Sequence, residues 1–182
     1  LIDGLNTHDN AYLIMETLNE ISSSLLMMSS MQSERQVPTF KLAEALVRVI
    51  NEYPDDLELQ LVGCRCIYNL ADVNFNCISE IVSAGVIETL NEKLLDLSYI
   101  DMAEQALQAL EIISRRAGRQ CLVKGSVPIV LAYLDFFTIH AQRKALQICA
   151  NASVNIPQTK ASDVQTAFAT IKSVATTYPD PQ

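Results

Sequence analysis

The feature that most restricts what this chain can fold into is an apolar frame that returns after 40 residues around two glycines. Ile81-Val82-Ser83-Ala84-Gly85-Val86-Ile87 is followed by Leu90 and Leu94, and Cys121-Leu122-Val123-Lys124-Gly125-Ser126-Val127 by Val130 and Leu134. Each copy then meets an acidic breaker, Asp96 or Asp135, and enters a longer amphipathic stretch, residues 103–116 or 141–155. The tripeptide Ala106-Leu107-Gln108 recurs as Ala145-Leu146-Gln147, and Tyr53-Pro54-Asp55 recurs as Tyr178-Pro179-Asp180, close to three periods away. A unit this short cannot bury its apolar face alone, so neighbouring units must stack into one continuous core.

A period near 40 with a short, a medium and a long helix per unit belongs to armadillo and HEAT repeats. The apolar-Gly-apolar joint between the first two helices favours armadillo, because a tight corner there calls for positive φ, which glycine adopts at little steric cost. The expected fold is therefore all-α, a right-handed α-solenoid of about four armadillo-type repeats. Their approximate bounds are 1–37, 38–73, 74–116 and 117–155, with a partial unit at 156–182. Composition agrees: 5 Gly and 6 Pro in 182 residues are too few for the turns of an all-β chain. The periodicity predicts helices at 9–28, 38–52, 56–73, 76–84, 86–96, 100–116, 118–124, 126–135, 138–154 and 162–177, with a polar loop from Ser29 to Val37. The chain starts Leu1-Ile2-Asp3 without an initiator Met, and it reads as a piece of a longer protein.

The formal net charge of -8 disfavours a phosphate backbone or an anionic membrane as partner. No apolar run approaches the ~18–20 residues of a membrane-spanning helix. Five cysteines, an odd number set in apolar helical patterns, argue for a reducing compartment, cytoplasmic or nuclear, over a disulfide framework. Residue chemistry offers no catalytic site, metal site or cofactor site. His8 and His140 have no ligand spacing. Cys64 and Cys66, two apart, point in nearly opposite directions on a helix and read as core. Cys149 stands about two and a half turns from His140, too far for a thiol and its base. Acid pairs such as Asp55-Asp56 read as helix N-terminal charges.

What remains is a surface. In an armadillo stack the long helices line a concave groove, and their polar stripes form the natural binding face. The candidates are Arg65, Asn69 and Asp72 on the first complete long helix, Glu104, Gln108, Glu111 and Arg115 on the second, and Arg143, Gln147 and Asn151 on the third. Asn69, Glu111 and Asn151 stand at spacings of 42 and 40, about one rung each, although the Ala-Leu-Gln register pairs Glu111 with Ala150. Tyr68 is a groove aromatic or a packed residue, and Phe136-Phe137 is expected in the core between repeats. Nuclear-import adaptors clamp basic peptides with Trp and Asn along such helices. Here Ile67-Tyr68-Asn69-Leu70-Ala71 supplies the Asn, but Arg65 stands where the Trp would be and the chain has no Trp.

Two segments, Ile100 to Arg116 (IDMAEQALQALEIISRR) and Leu134 to Asn151 (LDFFTIHAQRKALQICAN), resemble the armadillo region of the HECT-type ubiquitin ligases of the ubiquitin-fusion-degradation pathway, whose animal counterpart is the thyroid-receptor-interactor ligase. The likeness weakens before Val37 and after Asn155, which points to a fungal or other distant relative. The resemblance implies a non-catalytic module that recruits ubiquitinated or ubiquitin-fusion substrates for polyubiquitination, with proteasome contact as a further role. A conjugating enzyme would be engaged through a HECT domain elsewhere in the longer protein, so none of the five cysteines is expected to be catalytic. An acidic groove would suit the basic faces of ubiquitin. The competing reading is a stand-alone armadillo scaffold or transport adaptor binding peptides in its groove.

Overall fold

The computed structural model describes residues 1–7, 10–31, 37–96, 99–132, 134–154 and 156, with the isolated positions 165, 169, 172, 173 and 176. Among these the regular structure is helical: α1 (Ile2–Thr7), α2 (Ala11–Met31), α3 (Thr39–Glu52), α4 (Leu57–Val73), α5 (Ile78–Ser83), α6 (Val86–Leu95), α7 (Ile100–Val123), α8 (Ser126–Ala132) and α9 (Ile139–Ala152). Short 3-10 turns cover Phe75–Cys77 and Leu134–Phe136. The long helices α2, α4, α7 and α9 pack side by side in chain order, and α1, α3, α5, α6 and α8 back them.

This stacking follows from the apolar spacing. Along α7, Ala103, Ala106, Leu107, Leu110 and Ile113 are all fully buried, an i, i+3, i+4, i+7, i+10 stripe that must be covered on both flanks. Alternating Ala with Leu and Ile lets α4 and α9 approach α7 closely from either side. The buried side chains then form one core running from Leu5 to Ala152 rather than separate centres.

Both glycine corners have the predicted conformation. Gly85 has φ 86° and Gly125 φ 77°, and each N–H donates to the carbonyl three residues back, Val82 or Leu122, at 3.1 Å. Gly85 thus ends α5 and starts α6 in one residue. A Cβ at either glycine would meet nothing within 4 Å, so any penalty there is conformational alone. Gly85→Ala and Gly125→Ala are each expected to cost about 1 kcal/mol by urea denaturation, the αL penalty of an L-residue. A loss at one corner without the other would break their equivalence.

Several bounds differ from the periodicity reading. α1 was not anticipated: six residues with a central glycine are too short to show a period, yet Leu5 is fully buried. The expected loop from Ser29 is helical to Met31, because Ser29 Oγ donates to Asp72 Oδ2 on α4 at 2.9 Å and docks the polar end of α2. The break expected between 116 and 118 is a kink inside α7, where Ala117 leaves helical geometry at φ -117°, ψ 29°. Phe137 is buried, but Phe136 is 63% exposed: in the 3-10 turn Leu134 and Phe137 point inward three apart, which turns Phe136 out. The helix predicted at 162–177 lies mostly outside the described residues, as do His8 and Tyr178.

Candidate functional site

The ten groove candidates sit on three adjacent long helices, α4, α7 and α9, and the structure divides them by what their side chains touch. Asn69 is buried and its Nδ2 donates to Ser22 Oγ on α2 at 3.0 Å. Asn151 repeats the arrangement one layer end further on, donating to Ser114 Oγ on α7 at 2.9 Å. An amide that would be costly to bury alone is satisfied by a hydroxyl from the preceding long helix, and the two helices are tied at that height. This shared geometry makes Asn151, rather than Ala150, the counterpart of Asn69. The middle position of the row is Glu111, whose partner comes from its own helix. Arg115 Nε and Nη2 donate to the two carboxylate oxygens at 2.8 and 2.9 Å.

That pair is lopsided in exposure. The Glu111 side chain is 6% accessible and that of Arg115 is 54%. Glu111 therefore works as a buried anchor that fixes an exposed guanidinium one turn away. Its hydrogen bonds hold Arg115 above its usual pKa range; partial burial opposes this, while the charge of Glu111 and the nearby Tyr68 and Asp72 reinforce it. Tyr68 itself is half-buried against the core. Glu104 accepts from Thr138 N–H at 2.9 Å, joining α7 to the start of α9, and Gln147 donates to Asn151 Oδ1 at 3.0 Å. Arg65, Gln108 and Arg143 make no hydrogen bond or ion pair among the described residues. Arg65, Asp72, Arg115, Arg143 and Gln147 are exposed, Glu104, Gln108 and Asn151 half-buried.

The sequence pattern found the register of this row but missed Ser22 and Ser114, the hydroxyls that complete it. Their signal is small: a serine placed on an otherwise apolar helix face, opposite an asparagine 47 or 37 residues later. The candidates carry three arginines against three carboxylates, so the row has both signs and no net charge rather than the acidic character that would suit the basic faces of ubiquitin.

Burial pushes Cys64, Cys66, Cys121 and Cys149 up to about 12, so they stay protonated at neutral pH. Among the described residues no group of His, Cys, Asp and Glu could hold a metal ion, and no helix is long and apolar enough to cross a membrane.

Residues 1–123 match a family model described as E3 ubiquitin-protein ligase TRIP12-like, TPR repeats. The chain is 39% identical over 171 residues to ubiquitin fusion degradation protein 4 of Saccharomyces cerevisiae, a match covering 93% of this chain and 12% of that protein. It is 34% identical over 141 residues to E3 ubiquitin-protein ligase UPL3 of Arabidopsis thaliana, covering 76% and 7% respectively. Against E3 ubiquitin-protein ligase TRIP12 of Danio rerio it is 46% identical over 78 residues, covering 43% and 4%. The chain thus spans no more than 12% of the length of these relatives. The family match begins at residue 1, so the likeness extends upstream of Val37, where the sequence reading rests on helical pattern alone.

Proposed function

The chain belongs to the TRIP12-like family of E3 ubiquitin-protein ligases, and on that premise we propose that it is a non-catalytic armadillo-type module of a HECT-type ligase, recruiting ubiquitinated or ubiquitin-fusion substrate through its long-helix face. The observation that carries this reading is the row across α4, α7 and α9. Asn69 ties α4 to α2, Glu111 holds the exposed Arg115, and Arg65, Gln108, Arg143 and Gln147 stand beside them exposed or half-buried on closely packed helices. A preorganised polar face of this kind binds with little ordering cost. Holding an acceptor near a catalytic lobe elsewhere in a longer protein raises its effective concentration, which is catalysis by positioning.

The armadillo assignment rests on the two αL glycine corners 40 residues apart. Under this reading the units 1–37 and 38–73 have two helices each, and 74–116 and 117–155 add the short helix before the corner; the partial unit at 156–182 lies almost wholly outside the described residues. Proteasome subunits are a further partner class under this reading, the conjugating enzyme is met through the HECT domain, and the setting is cytoplasmic or nuclear.

The test is titration of the folded chain with ubiquitin chains and with a ubiquitin-fusion substrate, followed by anisotropy. Arg65→Ala combined with Gln108→Ala and Arg143→Ala is expected to weaken binding about tenfold or more by removing three contact side chains while leaving helicity intact, since none of the three has a partner to lose. Glu104 and Glu111 are poor choices because each is bonded to a neighbour. No binding by the folded wild-type chain would remove recruitment through this face.

A further inference from the structure

A second surface lies at the rim of the long-helix layer, outside the groove candidates. The N-termini of α4 and α7 flank an open cavity of about 480 Å³. Its apolar wall is made by Leu57, Leu61, Tyr99 and Ile100; Leu57, Tyr99 and Ile100 are 36%, 43% and 42% exposed. Glu58 and Asp101, each in the first turn of its helix, line the same cavity. Leu57 also borders a neighbouring cavity of about 540 Å³ at the α3–α4 connection, whose lining adds Asp55. Among the described residues no lysine or arginine lines either cavity.

The carboxylates can be sorted by what they already hold. Glu52 is paired with Arg48 at 2.6 Å, and Asp56 accepts from Leu59 N–H at 3.0 Å as the cap of α4. Asp55, Glu58 and Asp101 have no ion pair or hydrogen bond among the described residues. The rim therefore joins an uncovered apolar notch to three uncompensated negative charges, in contrast to the charge-balanced groove.

We propose that this rim notch docks a linear basic segment of a partner protein, one large apolar side chain entering between Leu57, Leu61, Tyr99 and Ile100 while flanking lysines or arginines face Asp55, Glu58 and Asp101. The argument is charge complementarity around an apolar anchor: the notch supplies the burial, and the carboxylates select the flanking sign. The notch lies at the N-terminal ends of α4 and α7, its lining includes none of the ten groove candidates, and the proposal stands whether or not the recruiting face binds ubiquitin.

The experiment is an anisotropy titration of the 182-residue chain with a fluorescein-labelled peptide Gly-Lys-Lys-Phe-Lys-Lys-Gly. Two comparison peptides are run alongside, one with Ser for Phe and one with Glu for every Lys. The lysine–phenylalanine peptide is expected to bind, with affinity falling as salt rises from about 50 to about 200 mM. Glu58→Gln with Asp101→Asn should weaken it about fivefold, and Glu58→Lys with Asp101→Lys more than about tenfold. Ile100→Ser should weaken it without changing the salt dependence. Circular dichroism checks that each variant keeps its helices. The proposal is overturned if the folded wild-type chain does not bind, if the serine peptide binds as tightly, if the glutamate peptide binds as tightly, or if the charge-reversed variant stays within twofold of wild type.

Discussion

Raising the pH from 8 to 10 is expected to cost the fold about 5 kcal/mol through its buried thiols alone. Cys64, Cys66, Cys121 and Cys149 are raised from 9.0 to about 12 by burial. In the unfolded chain each thiol ionises as the pH passes 9, whereas in the folded chain it stays protonated. The unfolded state therefore releases protons first and is stabilised. The sign is that of a raised pKa: the contribution is complete below about pH 9 and is lost progressively up to about 12. Each thiol loses about 1.4 kcal/mol per pH unit inside that window, so four lose about 5 kcal/mol by pH 10. Domains of this kind have only about 5–15 kcal/mol in total, so the urea midpoint should fall by about a third or more. Tyrosines and lysines titrate in the same range, and a variant separates them. Cys121→Ala with Cys149→Ala should lower stability at pH 8 through lost packing but halve the thiol part of the alkaline loss. Equal pH dependence in variant and wild type, from urea midpoints at pH 8 and 10, would show that the thiols are not its source.

The same burial explains which parts of the molecule could be read without a structure. Long stripes such as that of α7 announce themselves because each turn repeats the demand for cover. The glycine corners were legible because Gly85 and Gly125 are fixed by backbone geometry, which depends on the residue itself. α1 and the last turns of α2 were not, because their helicity is decided by what they pack on: Leu5 in the core, Ser29 on Asp72. The groove row was legible in register and illegible in role. A polar residue on a helix face looks the same in sequence whether it meets water or, like Asn69, a buried serine from another helix. The rim notch escaped for the same reason: Glu58 and Asp101 lie 43 residues apart, and only the packing of α4 beside α7 puts them around one cavity.

Gly118→Ala is expected to be destabilising by about 2 kcal/mol, while Gly63→Ala, also inside a helix, should be close to neutral. Gly63→Ala gains about 1 kcal/mol of helix propensity, and Gly118→Ala, beside the Ala117 kink, gains at most about that. They differ in what the new methyl meets. At Gly63 the nearest atoms are Ile50 Cγ1 at 2.7 Å and Cδ1 at 3.0 Å, a buried side chain whose shift leaves the backbone in place but, being β-branched, costs about as much as the propensity gain. At Gly118 the methyl would run into the backbone carbonyl of Asn151, 2.6 Å from its carbon and closer still to its oxygen. Backbone in the last turn of α9 cannot step aside alone. Moving it separates α9 from α7 and pulls Asn151 Nδ2 from Ser114 Oγ, so overpacking of about 3 kcal/mol outweighs the propensity gain. At about 2–4 °C per kcal/mol, the melting temperature should fall by about 4–8 °C. Because repeats are stabilised by their neighbours, the extra hydrogen exchange should be confined to α9 and the end of α7, leaving α2 and α4 protected. A Gly118→Ala chain that melts with wild type, or that loses protection first in α2, would mean that this close approach does not hold the last long helix in place.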